Sequence, residues 1–88
     1  MNVTFSGTLL RFINFQKNIS LDANTVNEAL SQVVSQHPKA RPVLYDGDGK
    51  VRQVHQIFVN GTQYHVSDFD QTLNPSDQMD VLTAIAGG

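Results

Sequence analysis

The sequence predicts an α+β domain: a mixed sheet with one main helix packed on one face. Three observations predict it. Val26, Ala29, Leu30, Val33 and Val34 recur with a helical period and form a single apolar stripe. The segments on either side alternate in twos, as half-buried strands do. Turn signals cut those segments into two strands before the helix and three after it, giving the order β-β-α-β-β-β. One helix is long enough to cover one face of such a sheet.

The elements follow in order. Val3, Phe5, Gly7 and Leu9 alternate with Thr4, Ser6 and Thr8, which predicts a first strand. Phe12 to Gln16 reads as a turn region. Ile19 and Leu21 alternate with Asn18 and Ser20, so a second strand completes an N-terminal hairpin. Thr25-Val26-Asn27-Glu28 is a capping box: the threonine oxygen can accept a first-turn N–H, and the glutamate can reach back. Pro38 stops the helix shortly after His37. From Pro38 to Gly49 the chain is turn-rich, ending in Asp46-Gly47-Asp48-Gly49. Val51 to Val59 alternates again, with Ile57, Phe58 and Val59 strongly β-prone. Asn60-Gly61 signals a tight hairpin with positive φ, and Gln63 to Val66 is the return strand. Ser67 to Gln71 is polar loop, Leu73 a lone core residue, and Asn74-Pro75-Ser76-Asp77 a turn. Met79 to Ile85 makes the last strand.

Size and composition narrow the function classes. A chain of 88 residues forms one small domain. It buries only about 60–65% of its unfolded surface, which leaves little scaffold for a deep enzymatic cleft. The formal charge is −2, with six basic residues spread along the chain. There is no basic stripe and hence no nucleic-acid footprint. No apolar run approaches the ~18–20 residues of a membrane span. The start, Met1-Asn2-Val3-Thr4, has no charged and apolar leader pattern, so no signal peptide is expected and a cytoplasmic location is. The absence of cysteine excludes disulfides, thiolate metal sites and a cysteine nucleophile, and fits a reducing compartment.

Most candidate motifs have a simpler structural reading. Asp46-Gly47-Asp48-Gly49 starts like a calcium loop, but Lys50 and Val51 occupy the next positions where a ligand and a glycine are needed. A surface turn explains it better. His37, His55 and His65 show no metal-ligand spacing, and no metal site is expected. His37 suits a helix C-terminus. His55 and His65 are placed to face each other across the Asn60-Gly61 hairpin. Three glycosylation sequons, at Asn2, Asn18 and Asn60, are accidental without a secretory signal. No Ser/His/Asp constellation emerges.

The C-terminal Gly87-Gly88 carries the chemistry. Glycine has no Cβ, so such a tail is thin enough to lie extended in a narrow channel of another protein. The group it delivers is the chain's own carboxylate. Once activated, for example as an acyl-adenylate, that carboxylate can accept sulfur or an amine. Average glycine usage of about 7% makes a chance Gly-Gly end roughly a 0.5% event; the competing reading is a frayed terminus. With no cysteine, any sulfur the chain carries sits on that carboxylate. In the last strand, Met79 and Val81 share one face and Leu82 the other. If the first pair faces the core, Leu82 faces solvent and can form a docking patch; cover by the 38–50 loop is the alternative. Phe5 is the second docking candidate, with plain core as its simpler reading.

The layout resembles the β-grasp, or ubiquitin-like, architecture, and the strand order of the sheet is taken from that resemblance. The chain is similar to the MoaD/ThiS family of ubiquitin-like sulfur carriers. The residues that carry the likeness are Val59-Asn60-Gly61, Thr72-Leu73, Ser76-Asp77-Gln78-Met79 and Ile85-Ala86-Gly87-Gly88. The opening residues and the loop from Leu44 to Arg52 look most like the CysO-type branch. Ser76 and Gln78 depart from the usual glycine and acidic residue, and Thr83-Ala84 stand where prolines are common in the family.

The resemblance implies a single β-grasp domain over residues 1–86 and a flexible tail at 87–88. It implies a carrier, not an enzyme, with no bound cofactor, that is monomeric when free. Gly88 would be adenylated by an E1-like adenylyltransferase of the MoeB/ThiF type, which uses ATP. A cysteine desulfurase or rhodanese would supply sulfur, and the terminal thiocarboxylate would serve an acceptor enzyme in cysteine, thiamine or secondary-metabolite synthesis. Ile85, Ala86 and Gly87 would thread the partner's active site, while Leu82 and Phe5 would dock. No protease step is expected, since nothing follows Gly88. Alternatives are the small subunit of molybdopterin synthase, a protein modifier, and a plain interaction module with an inert tail.

Overall fold

A computed structural model of the chain describes residues 1–83. Strand β1 runs Asn2–Ser6 and β2 runs Asn18–Ser20; helix α1 spans Val26–Gln36 and α2 Arg41–Leu44. Strands β3 (His55–Val59), β4 (Thr62–Tyr64) and β5 (Gln78–Thr83) complete a five-stranded sheet of order β2-β1-β5-β3-β4. Strands β1 and β5 are parallel at its centre, and the other pairings are antiparallel. This is the mixed sheet with one main helix that the residue pattern predicts.

Alternation in the strands sends one face inward. Val3 and Phe5 of β1, Ile57 and Val59 of β3, and Met79 and Val81 of β5 are all buried there. The five stripe residues of α1 are buried against them. Each fully buried aliphatic side chain contributes about 1.5–3 kcal/mol. Leu9, Ile13, Leu44, Phe69 and Leu73 from the connections close the edges of this core.

Capping holds α1 in place. Thr25 Oγ1 accepts the Glu28 N–H at 3.0 Å, as the box requires. Glu28 Oε2 reaches back one residue further than expected, accepting the Asn24 N–H at 3.0 Å. The hairpin turn has φ of 50° at Asn60 and 83° at Gly61, the twin positive values of the tight turn that matches strand twist. Asn60 also ties this hairpin to the turn before β5. Its amide donates to Asp77 Oδ1 at 2.9 Å, and its side-chain oxygen accepts the Gln78 N–H at 3.0 Å.

Four boundaries differ from expectation. The first strand ends at Ser6, because Gly7 takes φ +90° and leads into a 3₁₀ turn over Thr8–Phe12. Leu9 is therefore buried from a turn and not from a strand. In the loop that follows, Asn14 and Phe15 both hold φ 57°. Arg41–Leu44 is a short helix inside the loop region, with Pro42 in its first turn, where a missing N–H costs nothing. Val51 makes only an isolated bridge with Tyr45, and β3 begins at His55. The return strand stops at Tyr64, and Val66 opens another 3₁₀ turn. Among the described residues no helix is long and apolar enough to cross a membrane.

Candidate functional site

Strand β5 is the element that leads to the C-terminus, and its two faces differ. Met79 and Val81 point into the core, and Thr83 follows them at 9% exposure. Leu82 points to the open side of the sheet, between Ser6 of β1 and Gln56 of β3, and is 41% exposed. The face opposite α1 is thus where Leu82 stands, and the 38–50 loop does not cover it. Half-buried Phe58 lies on the same open face, paired with Asp80.

Polar residues around Leu82 are connected to one another. Gln78 Nε2 donates to Thr4 Oγ1 at 2.8 Å and to Asp80 Oδ1 at 3.1 Å, while its oxygen accepts from Asn2 at 2.8 Å. A glutamate at position 78 could not donate to Asp80 and would repel it. The departure from the family's acidic residue therefore suits this neighbourhood.

Phe5 is a correction. It is 2% exposed and lies beside Val81 on the inner face, so its ring offers a partner no contact area. Register decides this: Phe5 is two residues from Val3 and shares its buried side. The remaining site candidates, Ile85, Ala86, Gly87 and Gly88, lie outside the described residues.

The three histidines are separated. His37 caps the end of α1, and its N–H donates to Val33 O at 2.8 Å. His65 precedes the turn at Val66–Asp68 and donates its N–H to Asp68 Oδ2 at 3.0 Å. His55 is buried at 7% exposure. Its Nδ1 lies 3.0 Å from Thr83 Oγ1 and its Nε2 2.9 Å from the Val43 carbonyl. Burial pushes the His55 pKa below its usual 6.5; the Arg52 charge adds to this, and the Val43 hydrogen bond opposes it. The ladder between β3 and β4 stops at Ile57–Tyr64, so His55 pairs with Thr83 of β5 and not with His65. Both imidazoles do line one surface cleft of about 210 Å³.

Among the described residues no cluster of His, Asp and Glu is placed to hold a metal. Asp46 Oδ1 instead accepts the N–H groups of Asp48 and Lys50, at 2.9 and 3.0 Å. It stabilises its own turn, and these bonds hold its pKa below the usual carboxylate value.

No curated protein sequence matches this chain. Solved structures do resemble it. CysO in the BexX/CysO complex of Amycolatopsis orientalis is 22% identical, with a TM-score of 0.81 over 99% of this chain and 98% of that one. Mycobacterium tuberculosis CysO is 21% identical, with a TM-score of 0.79 over 96% and 98%. The small archaeal modifier protein SAMP1 of Methanosarcina acetivorans is 20% identical, with a TM-score of 0.83 over 99% and 94%. These likenesses establish the β-grasp, ubiquitin-like fold. A model of the ThiS family matches residues 3–88, nearly the whole sequence including Gly87-Gly88, and the chain belongs to the ThiS family.

Proposed function

We propose that this protein is a sulfur carrier whose Gly88 carboxylate is converted to a thiocarboxylate that donates sulfide in biosynthesis. The observation that carries this reading is the family match running through Gly87-Gly88. The exposed Leu82, six residues before Gly88 on the same strand that leads there, supports it. The chain itself supplies no cysteine, so its C-terminal carboxylate is the group available to hold sulfur.

An E1-like adenylyltransferase of the MoeB/ThiF type transfers AMP from ATP to the carboxylate and releases pyrophosphate. The persulfide sulfur of a donor, such as a cysteine desulfurase or a rhodanese, then displaces AMP to give an acyl disulfide. A second thiol of the partner enzymes attacks the donor's sulfur, releasing the thiocarboxylate and leaving a disulfide on the partners, whereas free sulfide displaces AMP directly. The carrier binds no cofactor of its own; it provides a shaped handle for the reacting group. Leu82 and its polar surround dock the activating partner, and residues 85–88 enter its active site. The protein acts as a free monomer in the cytoplasm.

A second reading has one observation in its favour: the neighbour SAMP1 is described as a modifier protein. An activated Gly88 would then form an isopeptide with a lysine. Intact mass separates the two. After incubation with the activating enzyme, ATP and a sulfur source, the carrier reading expects a species about 16 Da heavier, the mass of sulfur replacing oxygen, that a thiol-alkylating probe converts further. Higher-mass conjugates on a denaturing gel would favour the modifier. Lasting co-purification with a large subunit would favour the molybdopterin synthase alternative. An unmodified mass with all components active would sink the carrier reading and leave an interaction module.

A further inference from the structure

We infer that Thr83 is a positioning residue for the loading reaction: its contacts with His55 and Gly7 fix the last described residue of β5, to which the C-terminal segment is joined. The inference rests on the carrier reading above and adds residues to it.

Three segments converge on Thr83. Its hydroxyl lies 3.0 Å from His55 Nδ1. His55 Nε2 lies 2.9 Å from the Val43 carbonyl in α2. A carbonyl only accepts, so Nε2 carries the proton and Nδ1 of the neutral ring presents its lone pair to Thr83. The Thr83 hydroxyl donates. From the other side Gly7, at φ +90°, backs onto Thr83: a Cβ at Gly7 would stand 2.4 Å from Thr83 O and 3.1 Å from Thr83 Cβ. The side chain is held by His55 and the carbonyl is flanked by Gly7.

His55 and Thr83 are the only buried polar residues beside the apolar core among the described residues. Stability alone does not require them. Replacing both partners of a buried hydrogen bond by apolar groups of similar shape is close to neutral. What the pair adds is direction, because a hydrogen bond fixes orientation where aliphatic packing does not. Direction matters here. Gly88 lies five residues beyond Thr83, a reach of at most about 18 Å. Holding Thr83 in one place narrows the volume in which the tethered carboxylate is found and raises the fraction of docked complexes in which it meets the reacting atoms.

The test uses the full chain, ATP, sulfide and an E1-like adenylating enzyme from the same source, with initial loading rates taken over a range of carrier concentration. Thr83→Val keeps the shape and removes the hydroxyl. It is expected to lower kcat about tenfold while KM, set by docking at Leu82, stays within about twofold. Thr83→Ser, which restores the hydroxyl, is expected to recover most of the rate. His55→Leu removes the other partner and serves should Thr83→Val not fold; the same loss of kcat is expected. Wild-type kcat in a folded Thr83→Val or His55→Leu protein would overturn the inference. So would equal slowing of Thr83→Val and Thr83→Ser, which would make the methyl group or the bulk the cause. If the wild type itself is not loaded, the carrier reading fails and the positioning role fails with it. If the wild type loads and the variants load equally well, only the positioning role fails.

Discussion

At the residue scale, His55 and Leu82 have opposite environments on adjacent strands, and each predicts a measurable behaviour. His55 is buried, and its folded pKa lies below its usual 6.5. Below about pH 6.5 the unfolded chain binds a proton that the folded chain resists, so stability falls as the medium is acidified. The loss stops growing once the pH passes under the folded pKa. Melting curves between pH 8 and pH 5 should therefore decline more steeply for the wild type than for His55→Gln. Parallel curves would mean that His55 is not held neutral by burial. Leu82 contributes little to the core at 41% exposure. Leu82→Asp should cost about 1 kcal/mol or less, through the poor strand preference of aspartate. For a domain of this size that is at most about 4–8 °C in Tm. The same change should raise KM for the activating enzyme at least tenfold, since it places a charge in the patch proposed to dock. A much larger fall in Tm would assign Leu82 to the core, and an unchanged KM would remove it from the docking surface.

At the element scale, what could be read from the sequence depended on how local the determining forces are. Helix α1 was legible in full because its stripe, its Thr25 cap and its Pro38 stop are all coded within one stretch of chain. The Asn60-Gly61 turn was legible for the same reason: two residues set its backbone. The two faces of β5 were legible in its alternation, while which face turned outward was left conditional on Met79 and Val81 pointing inward, as they do. Other features depended on contacts distant in sequence. The strand at β1 read on to Leu9, since Leu9 sits in phase with Val3 and Phe5. What ends it is Gly7, whose missing Cβ lets the chain turn against Thr83, 76 residues away. The pairing of His55 with Thr83 was hidden likewise, because it depends on β3 lying beside β5. Phe5 shows the opposite case. Its alternation with Val3 already pointed inward, so the simpler reading as plain core was the one its local signal carried, and its 2% exposure agrees with that reading. The short helix at Arg41–Leu44 was obscured by Pro38 and Pro42, which read as loop residues but are tolerated in a first turn.

At the scale of the whole molecule, the described core and the proposed reacting residue belong to different stretches of the chain. The buried core runs from Met1 to Val81, and Thr83 is the last described residue packed beside it. Deleting Gly88 should leave the urea midpoint and Tm within error of the wild type, because a glycine has no apolar side chain to bury on folding. Loading should nonetheless be abolished. Without Gly88 the carboxylate moves to Gly87, one residue nearer Thr83 along the chain and by as much as about 3.6 Å, and a misplacement of about 1 Å at a reacting centre already costs on the order of a hundredfold. Gly87→Phe should give the same pattern by a different route, since a bulky side chain cannot pass where only a bare backbone fits. Two measurements on each variant decide the matter: a denaturation curve, and the intact mass after exposure to the activating enzyme, ATP and sulfide. A stable but unloaded variant supports a carrier whose chemistry is confined to its end. A variant that gains the 16 Da of sulfur at about the wild-type rate would show that the terminal glycine is not the reacting residue. A variant that loses stability would show that the end of the chain is part of the fold.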